Sequence, residues 1–164
     1  MNLATENEFL EVLRDNTLLV KKVCCMYSEN AHDKQDLEQE ICLQLWRAYP
    51  SFKGNSKVST WLYRVALNTA ITFFKKQKRK GNEEEVCKEF YELSTIGNDD
   101  GQTEKLTEMQ KAINKLSKIE KALVMLYIDE KPHDEIADIL GISAVNARVK
   151  LTRIKEKLRK TINY

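Results

Sequence analysis

The chain has 164 residues, of which 42% are hydrophobic and 32% charged, with a formal net charge of +2. That length suits one ordinary domain or two small ones. Five Gly and two Pro are too few for a loop-dominated or collagen-like chain, and no apolar run approaches the roughly 18 residues that would span a membrane.

Met1 to Glu11 carries acids and no apolar stretch, so no signal peptide is expected. Cys24, Cys25, Cys42 and Cys87 show no CxxC spacing and no clustered His, so neither a zinc site nor a disulfide framework is expected. Reduced thiols and a cytoplasmic location are the simplest expectation. No nucleophile–base pair, Gly-rich phosphate loop or metal cluster is visible. The expectation is a non-enzymatic protein with no cofactor.

The small net charge hides segregation. Residues 1–49 hold five Lys/Arg against nine Asp/Glu. Residues 50–81 hold eight Lys/Arg and no acid, and residues 82–108 hold two against nine. Residues 141–164 hold seven against one. Two separate basic blocks are the footprint expected of a polyanion-binding protein; two solvated helix faces are the alternative.

In chain order, Thr5 and Glu8 have capping-box spacing, so a first helix is expected to start there. A second follows, with Leu18, Leu19, Val23 and Met26 near helical spacing. Asp33 is the expected N-cap of a third helix from about Lys34 to Ala48, where Leu37, Ile41, Leu45 and Ala48 form one buried stripe. Pro50 ends it, and Ser51 to Lys57 is a polar loop. Val58, Leu62, Val65 and Thr69 mark one face of a fourth helix, and Lys57, Trp61, Arg64 and Asn68 another. Helix is expected to about Lys80.

Residues 81–105 read as an acidic, turn-rich linker. The expected organisation is all-α: two small helical domains, 1–80 and 106–164, joined by that linker. In the second, Leu106, Met109, Ile113 and Leu116 share a face. Ser117 and Glu120 form a capping box for a helix carrying Ala122, Leu123, Leu126 and Tyr127. Pro132 opens the next helix, His133 to Leu140. Gly141 suits a left-handed turn, and Ser143 caps a last helix to about Lys160.

His133 to Leu151 has the pattern of a helix-turn-helix. Ala137 is small where two helices cross closely. Ala147, Leu151, Ile154 and Leu158 form the buried stripe of the last helix. Asn146, Lys150, Arg153 and Lys157 form an exposed stripe, with Arg148, Lys155 and Arg159 on a second. The start of such a helix enters the major groove, where Asn pairs with adenine and Arg or Lys with guanine. In the first basic block Trp61, Tyr63, Phe73 and Phe74 are interleaved with Lys57, Arg64, Lys75 and Lys76. Aromatic platforms in a positive surface suit unpaired bases; plain core packing is the alternative for each ring.

These residues resemble the extracytoplasmic-function (ECF) group of bacterial RNA polymerase sigma factors. The specific pieces are D-L-x-Q-E at Asp36 to Glu40, F-x-G at Phe52 to Gly54, T-W-L-Y-R-V-A-x-N at Thr60 to Asn68, and E-I-A-x-x-L-G-I-S at Glu135 to Ser143. Asp36 to Lys76 looks like the family's region 2, and Leu116 to Arg159 like its region 4. The resemblance implies a protein that binds core RNA polymerase and directs it to promoter DNA. Region 2 would recognise and melt the −10 element, and region 4 would read the −35 element as duplex.

The same resemblance assigns residues. Asp36, Gln39, Glu40, Leu43 and Trp46 match the polymerase-docking helix. Lys53, Lys57, Trp61, Tyr63, Arg64, Asn68, Phe74, Lys75, Lys76 and Arg79 fall to the −10 element, with Asn68 capturing a flipped base through its amide. Ser143, Asn146, Arg148, Lys150 and Arg153 fall to the −35 element. An anti-sigma partner is compatible with the family, and no membrane insertion is implied. Two departures stand out. Asp129 to Pro132 reads DEKP where relatives often place Gly, and Asn146, Ala147 and Arg148 replace a common Thr-Val-Lys. A stand-alone duplex-binding regulator and a purely protein-binding module are the competing expectations. The first leaves Asp36 to Glu40 unexplained; the second forbids salt-dependent DNA affinity.

Overall fold

A computed structural model describes residues 3–28, 30–78 and 108–162. Every regular element among them is helical. The chain divides into two compact units, Met1–Cys87 and Lys88–Tyr164. The expected linker, 81–105, lies outside the described residues.

The first unit contains α1 (Leu3–Asp15), α2 (Thr17–Tyr27), α3 (Ala31–Ala48), a 3-10 turn (Tyr49–Ser51) and α4 (Val58–Lys78). α2, α3 and α4 pack on one another around Val20, Val23, Leu37, Ile41, Leu45, Leu62 and Leu67, all buried. Two helix starts differ from the sequence expectation. α1 begins at Leu3, which puts Thr5 inside the helix rather than at its cap. α3 begins at Ala31, with Asn30 as its cap: the Asn30 side-chain oxygen accepts from the Asp33 backbone N–H at 2.8 Å. Asn and Asp cap equally well, and the extended backbone of Asn30 decides between them.

Two buried faces also differ. Leu18 is 63% exposed while its neighbours Leu19 and Val20 are buried. On α4 the core face is Leu62, Tyr63, Ala66, Leu67 and Ala70, whereas Val58, Val65 and Thr69 are half-buried. α4 meets both α2 and α3, so its buried arc is wider than a single stripe and turned toward Tyr63 and Ala66.

The second unit holds a helical stretch over residues 108–114, termed α5, then α6 (Lys118–Ile128), α7 (His133–Leu140) and α8 (Ala144–Ile162). Local groups close three of its helix ends. Ser117 Oγ accepts from the Glu120 N–H, and the Glu120 carboxylate accepts from the Ser117 N–H at 2.7 Å. Gly141 sits at φ +67 and ends α7. Ser143 Oγ accepts from the Asn146 N–H at 3.1 Å, capping α8. Pro132 flanks α7 as its N-cap rather than opening its first turn. Ala112, Ile113, Leu116, Leu123, Met125, Leu126, Ile136, Ala137, Ile139, Ala147, Leu151 and Ile154 form the core. Met109, on the face shared with Ile113 and Leu116, is 40% exposed, and Tyr127 is 43% exposed.

Candidate nucleic-acid interface and polymerase-docking helix

The buried stripe of α3 fixes what its other side presents. With Leu37, Ile41 and Leu45 fully inside, Asp36, Gln39 and Leu43 are exposed and Glu40 is half-buried. The face is therefore acidic with an apolar centre. The Asp36 carboxylate lies 3.1 Å from His32 Nδ1, and Glu40 accepts from the Gln44 amide at 2.8 Å. His32 lies in the first turn of α3. Trp46 is half-buried on the flank of this face, its ring 5.2 Å edge-on from Phe9 of α1.

Phe9 begins a chain of ring contacts. It also meets Tyr49 at 5.3 Å; Tyr49 meets Trp61 at 6.1 Å, and Trp61 meets Phe52 at 5.0 Å. These rings tie α1, the end of α3, the 3-10 turn and the 52–57 loop to the start of α4. Gly54, at φ +71, turns that loop in the left-handed region that favours glycine. Lys53 and Lys57 are left exposed.

Along α4 the outward stripe continues through Arg64, Asn68 and Lys75, all exposed, with Trp61 half-buried at its start. Thr72, between Asn68 and Lys75, is exposed on the same stripe, and helical spacing alone locates it there. Phe74 is half-buried, 5.2 Å from the Phe73 ring. Tyr63 corrects the sequence expectation. It is only 4% exposed, so its ring is a core element of this unit and not a platform for a base. Its position places it on the arc of α4 that faces the other helices. The Lys76 side chain and all of Arg79 lie outside the described residues.

In the second unit, burial of Ala147, Leu151 and Ile154 turns Asn146, Arg148 and Arg153 outward. Ser143 is exposed and Lys150 half-exposed. Two other lysines of α8 are engaged within the unit. The Lys155 ammonium sits 3.9 Å from the centroid of the Tyr127 ring, and Lys157 pairs with Glu120 at 3.3 Å. Burial pushes the Glu120 carboxyl upward, but the Ser117 hydrogen bonds and Lys157 outweigh it and hold the group below its ordinary range. α8 also shows Val145 at 67% exposure and Val149 at 43%, which the polar reading of this helix overlooked. Apolar residues off the buried stripe were the available signal.

Among the described residues no cluster of His, Cys, Asp or Glu could hold a metal ion, and no helix is long and apolar enough to cross a membrane. Cys24 and Cys25 are buried, and Cys42 half-buried, as free thiols.

Two all-helical units, the second a helix-turn-helix, define the architecture. Residues 12–80 match the family described as Sigma-70 region 2, and residues 106–158 match Sigma-70 region 4. The ECF RNA polymerase sigma factor SigW of Bacillus subtilis is 26% identical over 94% of this chain and 87% of its own length. The ECF RNA polymerase sigma-E factor of Escherichia coli K12 is 29% identical over 77% of this chain and 72% of its own. A shorter match, 40% identical, joins 35% of the chain to 15% of SigG from Mycobacterium tuberculosis. Among solved structures, the sigma factor RpoE in complex with the anti-sigma factor NepR from Bartonella quintana aligns with a TM-score of 0.71. That alignment covers 96% of both chains at 19% identity. CnrH, solved with the cytosolic domain of CnrY, aligns at 0.68 over 96% of this chain and 89% of its own, at 16% identity. The chain belongs to the ECF group of RNA polymerase sigma factors.

Proposed function

We propose that this chain is a dissociable initiation subunit that binds core RNA polymerase, recognises promoter DNA and has no catalysis of its own. The observation that carries the reading is the order of matches: region 2 then region 4 on one chain, each with an exposed polar or basic helix face. In this reading residues 1–80 serve the polymerase and the −10 element, 81–105 tether, and 106–164 serve the −35 element. The setting is cytoplasmic, where polymerase and promoter are.

Asp36, Gln39, Glu40 and Leu43 form the polymerase-docking face, with Trp46 buttressed by Phe9 at its edge. Lys53, Lys57, Arg64 and Lys75 hold phosphates around the −10 element. Asn68, exposed between Arg64 and Lys75, offers a donor and an acceptor to an unstacked base. Asn146, Arg148, Lys150 and Arg153 enter the −35 major groove behind the cap of Ser143. The proposal includes a protein partner that restrains the factor, because both structural neighbours were solved with a protein bound.

The test is capture of bacterial core RNA polymerase by the chain, followed by run-off transcription on genomic fragments. Transcripts that appear only with the chain present are expected. Core binding without such transcripts rejects promoter direction, and no core binding rejects the reading altogether. Asn68→Ala is expected to slow open-complex formation with core affinity unchanged; equal melting by the variant removes Asn68 from this role.

A further inference from the structure

Over its first two turns the outermost line of α8 is apolar; Thr152 and Glu156, both exposed, continue it. Ala147, Leu151 and Ile154 face the core. The residues most nearly opposite them in the first two turns, at 3.6 residues per turn, are Val145 and Val149. They are 67% and 43% exposed. Asn146 and Arg153 flank them on one side and Arg148 on the other, all exposed.

Two isopropyl groups at the summit of a solvent-facing helix cost hydration and contribute nothing to this unit's core. Their setting says what covers them. Residues 141–164 hold seven Lys/Arg and one acid, so the ridge rises from a surface complementary to a polyanion. In the major groove the one apolar feature on a base edge is the 5-methyl of thymine.

We propose, building on the sigma-factor reading, that Val145 and Val149 are specificity-determining residues that pack on thymine 5-methyl groups in the −35 element. Four residues advance a helix by about 6 Å, and successive bases on a strand by about 3.4 Å. The two thymines therefore lie within one or two base-pair steps of each other. Asn146 and Arg148 select adenine and guanine at neighbouring positions through hydrogen bonds, and the valines reject cytosine, which lacks the methyl.

The test uses holoenzyme assembled from core polymerase and the full chain, on a promoter fragment that it transcribes. Each −35 thymine is replaced in turn by deoxyuracil, which deletes only the methyl. At two positions, one or two steps apart, affinity is expected to fall about fourfold each, as for loss of one buried methyl. Val145→Ala is expected to erase the sensitivity at one position and Val149→Ala at the other. Both sites are exposed, and Ala is the better helix former, so the fold is retained; thermal unfolding of each variant checks this. Uracil scanning without effect, alongside normal promoter-specific transcription, overturns the inference and leaves the sigma-factor reading standing. Sensitivities that persist in both variants overturn it too and assign the ridge to a protein contact. Absence of any promoter-specific complex overturns both.

Discussion

Glu130 occupies a left-handed backbone conformation, at φ 54, in the turn between α6 and α7. The turn reads Asp129-Glu130-Lys131-Pro132. The Glu130 N–H donates to the Tyr127 carbonyl and the Lys131 N–H to the Leu126 carbonyl at 3.0 Å, so the turn closes despite its side chain. An L-residue there is strained by about 1–2 kcal/mol, offset in part by the roughly 0.5–1 kcal/mol of entropy that glycine loses on folding. Glu130→Gly is expected to stabilise the unit by about 0.5–1 kcal/mol, read as a raised midpoint in denaturant. Gly141 is the converse. A Cβ there meets nothing within 4 Å, so Gly141→Ala costs the backbone strain less the entropy glycine loses on folding, a net of about 0.5–1 kcal/mol.

Cys24 is a second residue-scale case. Burial pushes its thiol up to about 12, with Glu38, Cys25 and Cys42 adding to the effect. Burial and then Glu38 push Cys42 up as well, and burial raises the Tyr27 phenol. The folded state therefore holds protons that the unfolded chain releases once the pH passes the ordinary thiol range. Stability from these groups is fully present below that range and is lost as pH rises toward about 12. Alkaline unfolding, followed by circular dichroism, is expected to begin above the ordinary thiol range. At neutral pH iodoacetamide is expected to spare Cys24 until the chain is unfolded; rapid labelling of the native protein contradicts the burial argument.

At the scale of elements, α6 and α8 are joined through one carboxylate. Glu120 completes the capping box of α6 and receives Lys157 of α8. Ser117→Ala removes the cap and is expected to cost about 1 kcal/mol. It also withdraws a hydrogen bond that holds the Glu120 carboxyl low. A carboxyl held low contributes stability above its ordinary range, which is lost as pH falls through its folded value. The deficit of the variant is therefore expected to be larger at neutral pH than in acid, measurable as a converging pair of unfolding curves. α3 is tested differently. Its acidic face stands off a fully buried stripe, so replacing Gln39 and Glu40 by Lys leaves the core untouched. Core polymerase affinity is expected to fall at least tenfold with the melting temperature nearly unchanged. Unaltered affinity places the docking surface on another helix.

At the scale of the whole molecule, charge segregation sets the response to salt. Promoter affinity of the holoenzyme is expected to fall linearly with salt on logarithmic axes. Arg148→Ala and Arg153→Ala are each expected to weaken binding. A phosphate-contacting arginine reduces the slope by about 1, whereas one that reads a base edge changes sequence preference instead. A slope untouched by either variant, with no change in preference, removes both from the interface. Lys155 and Lys157 are expected to contribute less per charge, because Tyr127 and Glu120 already engage them.

The local chemistry of the second unit was legible residue by residue. The Ser117–Glu120 box, the Gly141 turn and the Ser143 cap each depend on a side chain and a backbone group within three or four positions, so the sequence contains both partners. The stripe Leu37, Ile41 and Leu45 was equally plain, because one helix face meets one buried surface. The all-helical, two-part architecture followed from the same periodicities and from the two spaced motif sets. Non-local packing decided the rest. Tyr63 lies inside and Leu18 outside because the first unit's helices pack on more than one neighbour, α4 against both α2 and α3, and the width of a shared arc is not a property of any one helix. The apolar ridge of Val145 and Val149 became visible only once Ala147, Leu151 and Ile154 had fixed the inward face of α8. Short-range hydrogen bonding was determined by the sequence itself; which side of each helix meets its neighbours was decided by the tertiary structure, because burial is a collective property of helices distant in the chain.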